Sequence, residues 1–253
     1  MIIIKSKQEI ALMREGGKLL AQIMERISEI IIPGQNTFEI NKLARKLVFD
    51  IGGFPIFEGY GEKGNTFPAA ICTSINNEIV HGIPNKDRII QEGDLVKLDI
   101  GMKYKEMITD MARTYSVGKI SSEAQRLLDT TRECLDEGIK KIKAGSKLSD
   151  YSNAVEEYVK AQGFSVVRDL VGHGVGRKLH EDPQILNYKS KMKEIILKEG
   201  MTFALEPMIN AGTHYTKVLP DNWTYATKDG KLSAHFEDTI VVTKNGAEIL
   251  TRI

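Results

Sequence analysis

LVKLDIGMKYKEMITDMART, residues 95–114, places two carboxylates, Asp99 and Asp110, inside sequence that otherwise reads as strand. Val96, Leu98 and Ile100 alternate with Lys97 and Asp99, the period-two pattern of a strand. Gly101 and the charged Lys103, Lys105 and Glu106 predict a turn before a second strand. The stretch is a hairpin. Adjacent strands lie about 4.8 Å apart, so in suitable register the two carboxylates converge on one spot. Anions that close repel unless a cation sits between them.

On the N-terminal side, Ser6 and Glu9 form a capping box, and Ile10, Met13, Leu20, Ile23, Ile27 and Ile30 recur at helical spacing until Pro33-Gly34. Thr37 is the expected cap of a second helix through Ile40, Leu43, Leu47 and Val48, ending at Gly52-Gly53. Residues 54–66 read as loop, and 69–74 and 78–81 as strands around Asn76-Asn77. On the C-terminal side the plan recurs. Ser122 with Gln125 is the expected cap of a helix through Leu127, Leu128, Cys134, Ile139 and Ile142, and Gly145 ends it. Another helix follows over 149–162, and 165–172 is again extended.

EGDLVKLDI at 92–100 and EGMTFALEP at 199–207 share a pattern in which Asp99 matches Glu206, and the strand of Asp110 matches that of Glu237. Offsets of 107 to 127 positions are too long for a solenoid and suit an internally duplicated domain. The expectation is one α+β domain over 1–253, with pseudo-repeat halves of about 1–118 and 119–253. A curved, largely antiparallel sheet would be covered by outer helices, with the site between the halves.

Composition excludes several classes. Thirty-five basic and 34 acidic side chains leave a formal charge of +1, with no nucleic-acid or membrane footprint. Cys72 and Cys134, the two cysteines, offer neither a disulfide framework nor a cysteine-based zinc site. Ile2-Ile3-Ile4 is too short for a signal segment, and no run approaches the roughly 18 apolar residues of a membrane span. A cytoplasmic protein is expected.

An acid in a strand is ordinarily a solvent-face residue, and a lone histidine is more often packed or exposed than a ligand. The repeat changes that weighing, because it sets four acids at matching strand positions. Glu206 lies in the apolar run Phe203 to Pro207, where an unpaired carboxylate is costly. His173 stands in Gly172-His173-Gly174-Val175-Gly176, where glycines let backbone approach an imidazole closely. Four carboxylates and one histidine suit a pair of divalent ions such as manganese, iron, cobalt or zinc. Bridged ions about 3.5–4 Å apart would activate a shared water for attack on a carbonyl, which makes amide hydrolysis the natural reaction.

These residues resemble the type I methionine aminopeptidases of the pita-bread fold, over about Ile4 to Thr251. The segments that carry the likeness are CTSINNEIVHGIP at 72–84, KLDIGMKYKEMITDMART at 97–114, GHGVGRKLHEDPQILNY at 172–188, TFALEP at 202–207 and SAHFEDTIVVT at 233–243. The resemblance implies that Asp99, Asp110, His173, Glu206 and Glu237 are the metal ligands, with Asp110 and Glu237 bridging. It implies removal of initiator methionine when the next residue is small, through a hydroxide held between the metals, with Glu206 shuttling its proton. It keeps His81 and His180 off the metals: His180 would bond the substrate carbonyl and its oxyanion, and His81 the scissile nitrogen. Tyr60, Phe67, Cys72 and Trp223 match the methionine pocket, and a thioether packs well against aromatic edges and a thiol. Nascent polypeptide N-termini would be the partners, with transient ribosome contact and a monomeric state.

Three departures from the family pattern stand out. The run Gly61 to Thr66 is longer than the usual pocket loop, Leu179 replaces a common aromatic, and Asp238 follows Glu237 where histidine is frequent. An added carboxylate at 238 is expected to sit beside the site and alter metal affinity. His180 and Glu206 are only 26 positions apart, which leaves no room for the type II insertion. A prolidase or aminopeptidase P would carry a large N-terminal domain, whereas helix one is expected to start near Ser6. A binding module that had lost catalysis should also have lost ligands.

Overall fold

The computed structural model describes residues 1–191 and 193–253. Four α-helices are present among them: α1 (Lys7–Ser28), α2 (Thr37–Asp50), α3 (Ser122–Ile139) and α4 (Leu148–Ala161). The capping box of α1 forms as read, with Ser6 accepting from the Glu9 amide and Glu9 from that of Ser6. Two other caps shift by one residue. Asn36, not Thr37, caps α2, because the Thr37 hydroxyl exchanges hydrogen bonds with the Asn85 backbone 48 residues away. Ser121, not Ser122, caps α3 by accepting from Ala124, while Gln125 donates to Asp129 and closes no box. A capping serine beside a second serine, or a threonine with a distant partner, cannot be ranked by local spacing.

The hairpin is strands Leu95–Tyr104 and Met107–Ser116, paired over their whole length from Leu95 opposite Ser116 to Tyr104 opposite Met107. It lies within a nine-stranded antiparallel sheet, the curled sheet of the pita-bread fold. From the hairpin the sheet passes to Glu237–Val242, then Thr202–Leu205, then Gly172–Gly174 and Glu181–Ile185. The two strands of the hairpin and the strands that hold or precede Glu237 and Glu206 therefore run in mirrored order about one joint, Met107–Ser116 against Glu237–Val242.

The segment read as loop over 54–66 holds three two-residue strands, Phe54–Pro55, Gly61–Glu62 and Asn65–Thr66, too short to show alternation. The strand expected at 69–74 is Cys72–Ile75, and the one expected at 78–81 stops at Val80, because His81 takes a left-handed backbone (φ 59°). The region 165–172 contains Ser165–Val166 and begins the Gly172–Gly174 strand.

Two apolar clusters each join a pair of helices to the sheet. Val96, Leu98, Ile100 and Met102 of the hairpin pack with Leu20, Met24, Ile40 and Leu47 of α1 and α2. Phe203, Leu205, Ile240 and Val242 pack with Leu127, Leu135, Tyr151 and Val155 of α3 and α4. Burial of each such side chain contributes roughly 1.5–3 kcal/mol. The consequence for the site is geometric: with the even-numbered residues 96–102 of the first hairpin strand facing the helices, Lys97, Asp99 and Gly101 face the other way.

Candidate active site

Register brings the acids together. Asp99 and Glu237 flank Ala112 from either side, and Asp110 lies opposite Gly101. On the next strands Ala204 sits opposite both Thr239 and His173. The floor beneath the carboxylates is thus built from small residues. A methyl group on Gly101 would come within 2.7 Å of Ile56 and 2.8 Å of Phe57, and 3.3 Å of Asp110 Oδ1. The glycines around His173 allow similarly close passage, since Cβ atoms on Gly172 and Gly174 would stand 2.6 and 2.3 Å from the carbonyls of Ala204 and Asp182.

Ligand atoms of Asp110, His173 and Glu237 all lie within 4.8 Å of one another. Glu206 Oε1 is 3.4 Å from His173 Nε2, and Asp99 lines the same cavity. Asp99 Oδ1, Asp110 Oδ1 and Glu237 Oε1 are buried with no hydrogen-bond partner among the described residues. Oxygens left this way cost several kcal/mol in total, and a divalent cation between them removes the cost. The donor set fits such a cation.

The electrostatics agree. Burial raises Asp110 to about 7, and burial together with the charge of Asp110 holds Asp99 well above the carboxylate range. Glu206 and Glu237 are raised by burial first and then by their neighbouring acids. Burial pulls His173 down to about 3, so its ring is neutral. His173 Nδ1 lies 2.9 Å from the Gly174 carbonyl, which can only accept; the proton is therefore on Nδ1, and Nε2 offers its lone pair to the cavity.

All eleven residues singled out in the sequence line this one cavity: Asp99, Asp110, His173, Glu206, Glu237, His81, His180, Tyr60, Phe67, Cys72 and Trp223. Phe67 meets Trp223 edge to face at 5.4 Å, and His81 lies against Trp223 and Tyr225. The Tyr60 hydroxyl is bonded to His180 Nδ1, and the His180 ring stands on that of His173, centroids 4.4 Å apart. The longer run after Tyr60 leaves the pocket intact. Phe67 donates to the Tyr60 carbonyl and Gly59 to that of Phe67, so residues 61–66 close into an exposed hairpin, where a Cβ on Gly61 would stand 3.0 Å from the Trp223 ring. Leu179, buried, lines the cavity in place of the commoner aromatic.

Asp238 corrects an expectation. Its side chain leaves the site and is buried among Arg113 Nη2 at 2.7 Å, Arg252 Nε at 2.8 Å and Thr251 Oγ1 at 3.0 Å. Strand alternation puts residue 238 on the face opposite Glu237, so its charge is the least of the neighbouring charges that raise Glu237. Asp238→Ala takes from Arg113 its carboxylate partner while Arg252 keeps Asp136, and is expected to cost about 3 kcal/mol, read as a lowered denaturation midpoint, while metal affinity stays within a few fold.

Two residues at the site escaped sequence reading: Phe57 in the lining, and His235 beside Glu206. Phe57 lines the cavity from the segment read as loop. His235 is buried with neither ring nitrogen hydrogen-bonded among the described residues, its Nε2 3.7 Å from Glu206 Oε2. Its position two residues before Glu237 in an alternating run was the available signal. A wider groove between α1, α3 and the C-terminus holds Arg113, Arg132 and Arg252, each already paired with a carboxylate, and carries none of the predicted residues.

Fold and cage together are those of a metallopeptidase, and the profile of metallopeptidase family M24 matches residues 11–244. Over its full length the chain is 46% identical to methionine aminopeptidase 1 of Bacillus subtilis, with all of both chains covered. The crystal structure of methionine aminopeptidase from Thermotoga maritima superposes with a TM-score of 0.96 at 43% identity, again covering both chains completely. The chain belongs to family M24 and, within it, to the methionine aminopeptidases. Xaa-Pro dipeptidase from Bacillus anthracis, 23% identical with a TM-score of 0.75 and spanned by this chain over 62% of its length, shares the fold.

Proposed function

We propose that the protein removes the N-terminal initiator methionine from nascent proteins and peptides when the second residue is small, with two divalent ions held by Asp99, Asp110, His173, Glu206 and Glu237. The observation that carries this reading is the set of three buried, unpartnered carboxylate oxygens facing a cavity whose rim is Tyr60, Phe67, Cys72 and Trp223. When bound, the ions supply Lewis acidity at the scissile carbonyl and a water that is nucleophilic near neutral pH. The oxygen-rich donor set suits manganese, iron, cobalt or zinc.

The side chains do the rest. Glu206, 3.4 Å from His173 Nε2, takes up and returns a proton at the cavity floor. Burial raises Tyr60 and lowers His180, so the phenol keeps its proton and the imidazole is neutral. Tyr60 then donates to His180 Nδ1, and Nε2–H is left to bond the substrate carbonyl oxygen as charge develops on it. His81, lowered to about 4 by burial, is neutral and accepts from the scissile N–H. The aromatic edges and the Cys72 thiol receive the methionine side chain.

Residues 1–253 act as one catalytic domain whose halves, about 1–118 and 119–253, share the cage. The reading includes a cytoplasmic monomer that meets nascent chains during brief contact with the ribosome; no helix among the described residues is long and apolar enough to cross a membrane.

Metal-stripped protein reloaded in turn with manganese, iron, cobalt or zinc is expected to cleave Met-Ala-Ser at least roughly 100-fold faster than Met-Lys-Ser. Equal rates on the two tripeptides would sink the specificity claim. Tyr60→Phe removes the proton that sets the His180 tautomer, and kcat is expected to fall about tenfold with KM little changed. A variant with unaltered kcat would show that the hydroxyl plays no such part.

A further inference from the structure

We infer that Lys97 is a positioning residue: its buried amine ties the backbone at Asn76 to the backbone at Ser233, and so sets the segment leading into Glu237 against the hairpin that carries Asp99. Lys97 is 1% exposed and among the largest fully buried side chains. A lysine taken out of water normally has a carboxylate partner. This one forms no ion pair among the described residues, and Nζ donates instead to the carbonyls of Asn76 at 2.8 Å and Ser233 at 3.0 Å. Charged or neutral, an amine keeps two N–H bonds to give, so the tie does not depend on titration.

The topology explains why a tie is needed there. Glu237 and Asp238 are the residues of their strand that pair with the hairpin, opposite Ala112 and Met111. Two residues earlier, Ser233–His235 has left for a separate three-stranded sheet with Met208–Asn210 and Ser165–Val166. Side chains from the hairpin span the divergence. Thr114, in register with Lys97, donates to the His235 carbonyl at 2.7 Å and accepts from its amide at 2.9 Å. Lys97 does the same work at Ser233, whose own amide donates to the Asn76 carbonyl at 3.0 Å. Asn76 sits in a left-handed turn (φ 54°) between Cys72–Ile75 and Glu78–Val80, just ahead of His81. One side chain thus fastens the segments that present Asp99, His81 and Glu237. Without it, the buried Ser233 carbonyl loses its donor and the Asn76 carbonyl keeps only the Ser233 amide.

Lys97→Met keeps the length and loses the N–H bonds. In metal-free protein, amide exchange is expected to quicken over residues 76–78 and 233–236 while α4 exchanges as in wild type. In the reloaded enzyme, kcat for Met-Ala-Ser is expected to fall about 10- to 100-fold with KM within about twofold. For Lys97→Ala, ethylammonium is expected to restore part of the rate, and tetramethylammonium, which has no N–H, none. Should Lys97→Met not fold, Lys97→Gln, whose amide ends one bond short, carries the same measurements. Unchanged exchange at 233–236, exchange raised equally throughout the protein, or rescue by both cations would overturn the inference. The kinetic arm rests on the proposed peptidase reaction and the exchange arm does not, so a wild type inactive on Met-Ala-Ser would defeat that reading and leave the exchange result to decide on Lys97.

Discussion

Asp110→Asn is expected to leave no measurable peptidase activity and yet to make the metal-free protein more stable at pH 8. Four carboxyl groups are buried around one spot, and burial alone lifts Asp110 from its ordinary 3.8 to about 7. A native pKa above the unfolded value means that the folded state holds more protons than the unfolded state between about pH 4 and pH 7. Stability of the metal-free protein therefore falls as pH rises through that window and stays low above it. Removing this anion removes its burial cost, a shift of this size corresponding to several kcal/mol, and also relieves the repulsion by which Asp110 raises Asp99, Glu206 and Glu237. A bound cation relieves the repulsion differently, by pairing with the charged forms, and stabilises by about 2.7 kcal/mol at a hundred times its dissociation constant. Thermal melts at pH 5, 6, 7 and 8, with and without manganese, separate the two. Wild type is expected to show the falling profile when stripped and a flatter, higher one when loaded. The asparagine variant is expected to start higher at pH 8 and to gain little from manganese. A stripped wild type that gains stability from pH 5 to 8, or a variant stabilised by metal as strongly as wild type, would refute the assignment of Asp110 to the cage.

His180→Ala is expected to lower kcat by about 10²–10³, the loss typical of one donor to a developing oxyanion, with metal content unchanged. The ring stands at the solvent side of the cavity, with Nδ1 occupied by the Tyr60 hydroxyl. It lies outside the group formed by Asp110, His173 and Glu237. His81→Ala should likewise keep its metal and lose turnover, because the ring is held between Trp223 and Tyr225 at the rim. Elemental analysis beside steady-state kinetics decides the matter. Metal lost from either variant would move that histidine among the ligands, and retained kcat would remove it from the reaction.

The four helices and the hairpin were legible because each rests on local chemistry: a capping serine, apolar residues at helical or strand spacing, a glycine at the end. The caps at Asn36 and Ser121 were read one residue late, since what decides between neighbouring polar residues is whether one of them has a distant partner, as Thr37 has in Asn85. The acids of the candidate site could be nominated from the repeat of EGDLVKLDI in EGMTFALEP, together with the family likeness. His235 could not, because an imidazole with unpartnered nitrogens beside Glu206 is a fact about burial, and burial is set by residues far away in the chain. The partners of Asp238 are set in the same way. Adjacent in sequence to Glu237, it faces the other side of the strand and meets Arg113 and Arg252.

The sequence by itself determined which segments become helix or strand, which side chains are suited to hold a divalent cation, and that they come in two matching sets. These follow from short-range periodicity and from the chemistry of carboxylate and imidazole. Only the tertiary structure decided which of the chain's many polar residues meet: Tyr60 with His180, Lys97 with the carbonyls of Asn76 and Ser233, Asp238 with its arginines. Such pairings depend on strand order and register, and these are settled by how the two helix-backed cores pack rather than by any stretch of sequence.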